Sequence, residues 1–235
     1  MKVEIWSDIM CPFCYIGKRK LESALQQFPG KDSIEIDWHS FQLDPYLKYQ
    51  PGKDLYSYLS DIKGISRERS IQMHEQLTQT ARENGLTYNF DKAIITNSFD
   101  AHRLIQLAKK YKLDDAAEER LFKAYFTEGK NMGDHITLIE LGNDIGLDKE
   151  EIKQMLNSGE YAKEVRHDIE EAKQFGIRGV PFFVMNRKYG VSGAQPVEVF
   201  LQTLNASFNE WQKENPVIQL TNEEGQVCAP GEECN

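Results

Sequence analysis

The sequence predicts an α/β fold in which two strand-and-helix segments, a βαβ unit and a ββα unit, flank a large all-helical insertion. Three observations carry that expectation. Lys2-Val3-Glu4-Ile5-Trp6 alternates polar and apolar residues, as a short strand does, and runs directly into Cys11-Pro12-Phe13-Cys14 and a helical pattern. The following stretch, to Phe175, is charged and helical in period, with almost no strand-like run. Beyond it, Gly179-Val180-Pro181 stands just before a run of strand formers, Phe182-Phe183-Val184.

Taken in order, the first strand leads to a helix from Cys14 through Phe28, with apolar Ile16, Leu21, Ala24, Leu25 and Phe28 close to helical spacing. The alternation of Ile34 through Phe41 marks a second strand, which Pro45 and Pro51-Gly52 break. Seven helices are expected next: Leu55–Ile62, Arg67–Asn84, Phe99–Tyr111, Asp115–Thr127, Ile136–Ile145, Lys149–Leu156 and Ala162–Gln174. Gly85, Gly129, Gly146 and Gly176 fall where helix C-caps or turns belong. Phe182–Met185 and Lys188–Val191 then form a hairpin around Asn186-Arg187. Val197–Trp211 makes the last helix, with Val199, Phe200, Leu204 and Phe208 on its apolar side. The expected units are a discontinuous α/β domain, 1–50 with 176–213, an insertion, 51–175, and a loose tail, 214–235, rich in Asn, Glu, Gly and Pro.

The Cys-x-x-Cys sits on the first strand-to-helix turn, which makes it a redox motif. Cys11 falls just outside the helix and Cys14 inside its first turn, while Pro12 takes the early helical position where a missing N–H costs nothing. Cys11 is therefore expected to be the exposed thiol. Unpaired backbone N–H groups and the positive end of the helix dipole favour its thiolate, so its pKa is expected to fall. Cys14, more buried, is expected to stay a thiol and to attack the mixed disulfide that Cys11 forms with a substrate.

A chain of 235 residues buries a sizeable core without disulfide staples, which frees its four cysteines for chemistry. A net charge of −9 and a pI near 5.2 argue against nucleic acid or anionic membranes as partners. No charged-then-apolar leader pattern opens the sequence and no run of 18 apolar residues occurs, so a cytoplasmic protein is expected. Gly-rich phosphate loops are absent, which argues against a nucleotide cofactor. The competing reading of the cysteines is a zinc site completed by Cys228 and Cys234. That second pair is spaced C-x5-C, not the C-x2-C that structural zinc sites repeat. His39, His74, His135 and His167 are scattered without His-x-x-x-His or His-Glu pairing, so no metal is expected.

Several stretches resemble, in order, one family. They are Ser7-Asp8 with Cys11-Pro12-Phe13-Cys14-Tyr15-Ile16-Gly17-Lys18, then Asn97 through Leu104, Tyr125 through Gly129, Gly179-Val180-Pro181 and Gly190 through Gln195. Together they resemble the FrnE-like branch of the DsbA superfamily, thioredoxin-fold oxidoreductases related to hydroxychromene-carboxylate isomerases and kappa-class glutathione transferases. The resemblance implies a thioredoxin fold and catalytic Cys11 and Cys14. It also implies a cis Val180–Pro181 peptide against the disulfide, and a Val180 backbone that pairs with an extended substrate. Pro12 and Phe13, between the cysteines, are expected to touch substrate, and Phe13 to be exposed within a mostly buried set of Tyr15, Phe41, Phe182 and Phe183. His102 is a candidate for tuning the Cys11 thiolate, against the plainer reading of a satisfied interdomain histidine. Cys228 and Cys234 are candidates for a redox relay, against an idle disulfide.

The activity expected from these readings is protein thiol–disulfide exchange without a bound cofactor, with glutathione a candidate co-substrate and the chain a monomer or homodimer. The rivals are a glutathione-dependent isomerase or transferase, against which Cys14 speaks, and a redox-regulated chaperone.

Overall fold

A computed structural model describes residues 1–216. The expectation placed on Cys228 and Cys234 lies outside the described residues. A four-stranded mixed sheet, ordered β2-β1-β3-β4, holds the fold together. Strand β1, Lys2–Ser7, pairs in parallel with β2, Glu35–Ser40, and the crossover between them is helix α1, Pro12–Gln27. Strand β3, Phe182–Met185, runs antiparallel to β1 and closes a hairpin with β4, Tyr189–Ser192. Asn186 and Arg187 both have positive φ at the hairpin tip, 53° and 55°. Arg187 meets that conformational cost, ~1–2 kcal/mol for an L residue, with bonds to Glu171 Oε1 at 2.6 Å and to Glu4 Oε1 at 2.5 Å.

Seven α-helices lie between β2 and β3: α2, Leu55–Lys63; α3, Arg67–Glu83; α4, Phe99–Lys109; α5, Asp114–Lys123; α6, His135–Asp144; α7, Lys149–Leu156; and α8, Ala162–Gln174. Their starts follow from local chemistry. Asp54, Ser66, Asp134 and Asp148 each accept an N–H from the first turn of the helix they precede, satisfying a donor that has no partner within the helix. The expected helix Asp115–Thr127 is two elements, since a π-helical turn, Ala124–Glu128, continues α5 and ends at Gly129 with φ of 68°. The last helix, α9, Val197–Glu214, runs about one turn beyond its expected end.

Strand β1 is buried on both faces, and its alternation sorts the core. Val3 and Ile5 face α1 and α9 and belong to a large apolar cluster that continues without a break into α4, α5 and α6. Trp6 faces the other way, against Ala172 and Ile177 at the end of α8. Helix α1 approaches β3 so closely that a Cβ on Gly17 would lie 3.0 Å from Pro181 Cγ and 3.1 Å from Phe183 Cζ. Glycine lets the cysteine-bearing helix sit this near the Pro181 loop without displacing either side chain.

A candidate dithiol site beside an apolar cleft

Cys11 occupies the N-cap of α1 with extended backbone, and Pro12 stands first in the helix, as the spacing predicts. The turn before it is held by Cys11 N–H donating to Asp8 O at 2.9 Å, and Cys14 N–H donates to Cys11 O at 3.0 Å. The two cysteines are unbonded and face each other. Burial first, and then the neighbouring Cys11 sulfur, pushes the Cys14 pKa well above that of an ordinary thiol. That agrees with its expected role as the protonated, resolving partner.

Cys11 departs from expectation. It is not an exposed thiol but is 4% accessible, and its Sγ donates to Val180 O at 3.4 Å. The local motif places Cys11 at a helix tip, but the loop that covers it arrives from 169 residues away. The Val180–Pro181 peptide bond in that loop is cis. A further cover comes from the helical segment, where Tyr88 donates its hydroxyl to Pro12 O at 2.7 Å and stacks on Phe126. No sequence signal marked Tyr88, because its partner is the backbone of a distant turn.

Cys11 nevertheless opens into a cleft of about 770 Å3 whose walls include Pro12, Phe13, Val180 and the facing sides of α2 and α3. Phe13 is 46% exposed on its edge, as expected, and Leu43 and Ile62 are exposed on the same rim. The walls are mainly aliphatic and aromatic. Lys63 is the one Lys or Arg side chain among the described lining residues, and Asp8 and Asp44 are the acids. His74, also on the wall, has its pKa lowered by burial and bonds Ser70 O through Nδ1 at 2.7 Å.

Asp8 organises the loop. Its carboxylate accepts Met10 N–H at 3.2 Å and Leu43 N–H at 2.8 Å, tying the cysteine turn to the cleft rim. His102 is fully buried with Nε2 3.5 Å from Asp8 Oδ1, so its link to the site runs through Asp8.

His39 has no His-Glu pairing along the sequence, but the fold gives it acidic neighbours. The structure gathers Glu4, Asp37, Asp168 and Glu171 around its ring, with Nδ1 3.0 Å from Asp168 Oδ1 and Nε2 3.2 Å from Asp37 Oδ2. These side chains come from β1, β2 and α8, which no sequence spacing brings together. The carboxylates already face cations: Lys2 and Lys109 on Asp37, and Arg187 on Glu4 and Glu171. The group is thus a charge-balanced hub, in which Glu4 Oε1 and Oε2 and His39 Nε2 make no hydrogen bond among the described residues.

A strand-borne Cys-x-x-Cys at a helix N-terminus, met by a cis-proline loop, points to one family, and comparison with known proteins agrees. A model of the DsbA-like thioredoxin domain matches residues 2–205. The chain belongs to the DsbA-like thioredoxin-domain family. Among solved structures, a probable DsbA oxidoreductase from Streptomyces coelicolor is 38% identical, with a TM-score of 0.84 and coverage of 100% of this chain and 98% of that one. The uncharacterized protein YwbO of Bacillus subtilis is 30% identical over 206 residues, 86% of this chain and 95% of its own length. The cytosolic disulfide reductase DsbM from Pseudomonas aeruginosa, solved with GSH, shares the fold at 15% identity and a TM-score of 0.61, over 92% of this chain and 100% of that one. The helices between β2 and β3 are the insertion of this DsbA-like fold, and among the described residues no helix is long and apolar enough to cross a membrane.

Proposed function

We propose that the protein is a thiol–disulfide oxidoreductase that acts on cysteines of polypeptide substrates, with Cys11 as nucleophile and Cys14 as resolving thiol. The observation that carries this reading is the placement of Cys11 Sγ on the wall of an apolar cleft, with Cys14 behind it and out of the cleft lining. In the reducing direction Cys11 attacks a substrate disulfide, one substrate sulfur leaves as a thiol, and a mixed disulfide forms. Cys14 then attacks Cys11 Sγ, the second substrate sulfur is released as a thiol, and the Cys11–Cys14 disulfide holds the two electrons' worth of oxidation until an external thiol reduces it. Oxidation of substrate thiols is the same path reversed.

The cleft supports a polypeptide over glutathione. Glutathione carries two carboxylates and would meet Lys63 as the single Lys or Arg of the described lining, beside Asp8 and Asp44. Apolar side chains flanking a cysteine fit such walls by burial alone. The Val180 backbone would pair with the extended segment, and Pro12 and Phe13 would bear on it. The order of motifs places the chain, on this reading, with the FrnE-like branch, and the fold it shares with a cytosolic disulfide reductase supports a reducing compartment as its setting.

Glutathione-dependent isomerase or transferase chemistry is the second reading, favoured by the fold that a 2-hydroxychromene-2-carboxylate isomerase shares at a TM-score of 0.63. Two assays separate them. The protein should accelerate dithiothreitol-driven reduction of insulin, seen as earlier precipitation; suppressed precipitation would instead indicate a chaperone that holds chains. The Cys14→Ser protein should trap a cysteine peptide with aromatic neighbours from that peptide's symmetrical disulfide faster than it traps glutathione from glutathione disulfide, one thiol leaving in each case. The reverse order of trapping would overturn the polypeptide reading.

A further inference from the structure

Resting on the dithiol reading above, we propose that Ser7 is the residue that positions and stabilises the Cys14 sulfur while it becomes a thiolate in the resolving step. The alternation of β1 sets the side. Val3 and Ile5 project toward α1, while Glu4 and Trp6 project toward His39 and α8, so Ser7 is the third member of the row that faces the cysteine-bearing helix. It is the polar end of an otherwise apolar row.

Its backbone is fixed. Ser7 pairs with Ser40 in the parallel ladder and its carbonyl accepts Phe41 N–H at 2.9 Å. Its side chain is uncommitted: Ser7 is 0% accessible and Oγ makes no hydrogen bond among the described residues. Buried hydroxyls are nearly always bonded, and one that is left over beside a reacting group calls for an explanation. Cys14, 1% accessible in the first turn of α1, is the reacting group on this side of β1, and the Ser7 side chain is among the groups that favour its thiolate against burial and the adjacent Cys11 sulfur.

The chemistry needs such a donor. In the mixed disulfide, Cys14 loses its proton and its sulfur attacks Cys11 Sγ. The Cys14–Cys11 bond forms, the bond from Cys11 to the substrate sulfur breaks, and that sulfur leaves and takes up the proton. No bulk water reaches Cys14 to solvate the transient charge, so an O–H that turns to the sulfur as it ionises lowers the barrier while doing little for the neutral thiol. Cys11, on the cleft side, does not depend on it.

Ellman's reagent reads the two steps separately. In a Cys228→Ser, Cys234→Ser background, which leaves Cys11 and Cys14 as the only two of the four cysteines, the reduced protein should release one thionitrobenzoate as Cys11 attacks and a second as Cys14 resolves. Ser7→Ala should keep the first release and slow the second roughly tenfold, whereas Ser7→Thr, which keeps the hydroxyl, should resolve within about twofold of wild type. Ser7→Gly removes the hydroxyl without adding bulk and gives the same reading if the alanine protein fails to fold. A second release at the wild-type rate in Ser7→Ala or Ser7→Gly, or slowing of both releases together, would overturn the role of Ser7. Release of a single equivalent by the parent protein of that background, with Ser7 intact, would overturn the dithiol reading itself.

Discussion

At the scale of single residues, the two cysteines divide the labour because their surroundings differ by one helical turn. Cys11 borders the cleft, while Cys14 lies behind it with its pKa pushed up by burial and by Cys11. Cys11→Ser should therefore abolish exchange, since no nucleophile remains on the cleft wall. Cys14→Ser should keep the first step and accumulate mixed disulfides, visible by mass spectrometry as protein plus substrate thiol. Alkylation at mildly acidic pH should label Cys11 before Cys14. Faster labelling of Cys14 would reverse the two roles.

At the scale of elements, the site depends on how closely α1 approaches β3. Gly17 allows that approach, since a Cβ there would lie 3.0 Å from Pro181 Cγ and 3.1 Å from Phe183 Cζ, and those side chains would have to give way by a few tenths of an ångström. Gly17→Ala should lower stability by about 1–3 kcal/mol, as overpacking does, despite the better helix propensity of alanine. It should also slow the first exchange step, because the extra methyl pushes Pro181 and Val180 from the Cys11 thiol. Denaturant unfolding with stopped-flow exchange checks both effects; an alanine protein as stable as wild type would show that α1 and β3 can part without cost. The covering elements matter in the same way, since Tyr88 reaches Pro12 O from the segment between α3 and α4.

At the scale of the whole molecule, the His39 hub joins the sheet to α8 and so holds the helical segment against it. Burial alone would push the His39 pKa down. The hydrogen bond to Asp168 and the ion pairs with Asp37 and Glu4 outweigh burial and raise it from 6.5 to about 10. A group whose pKa is raised on folding contributes fully below its unfolded value and loses the contribution as pH climbs through the folded one. Stability on the order of a few kcal/mol should therefore fade between about pH 6.5 and pH 10. Thermal melts of wild type and His39→Gln should converge over that window; a wild-type advantage unchanged at pH 10 would remove the imidazolium from the hub.

What the sequence determined by itself was everything that rests on short-range chemistry. The existence and order of the helices, most of their starts, the two strand-helix units, the hairpin and the position of Cys11 and Cys14 on α1 follow from periodicity, capping and the missing N–H of Pro12, all local to a turn or two of chain. Motif order likewise sufficed for the family. The tertiary structure alone decided the accessibility of Cys11, the gathering of four carboxylates on His39, the burial of the unpaired Ser7 hydroxyl and the apolar cleft between α2, α3 and the cysteine turn. Each of these joins groups tens to more than a hundred residues apart. Such contacts are set by which faces of distant elements bury together, and no spacing along the chain encodes that.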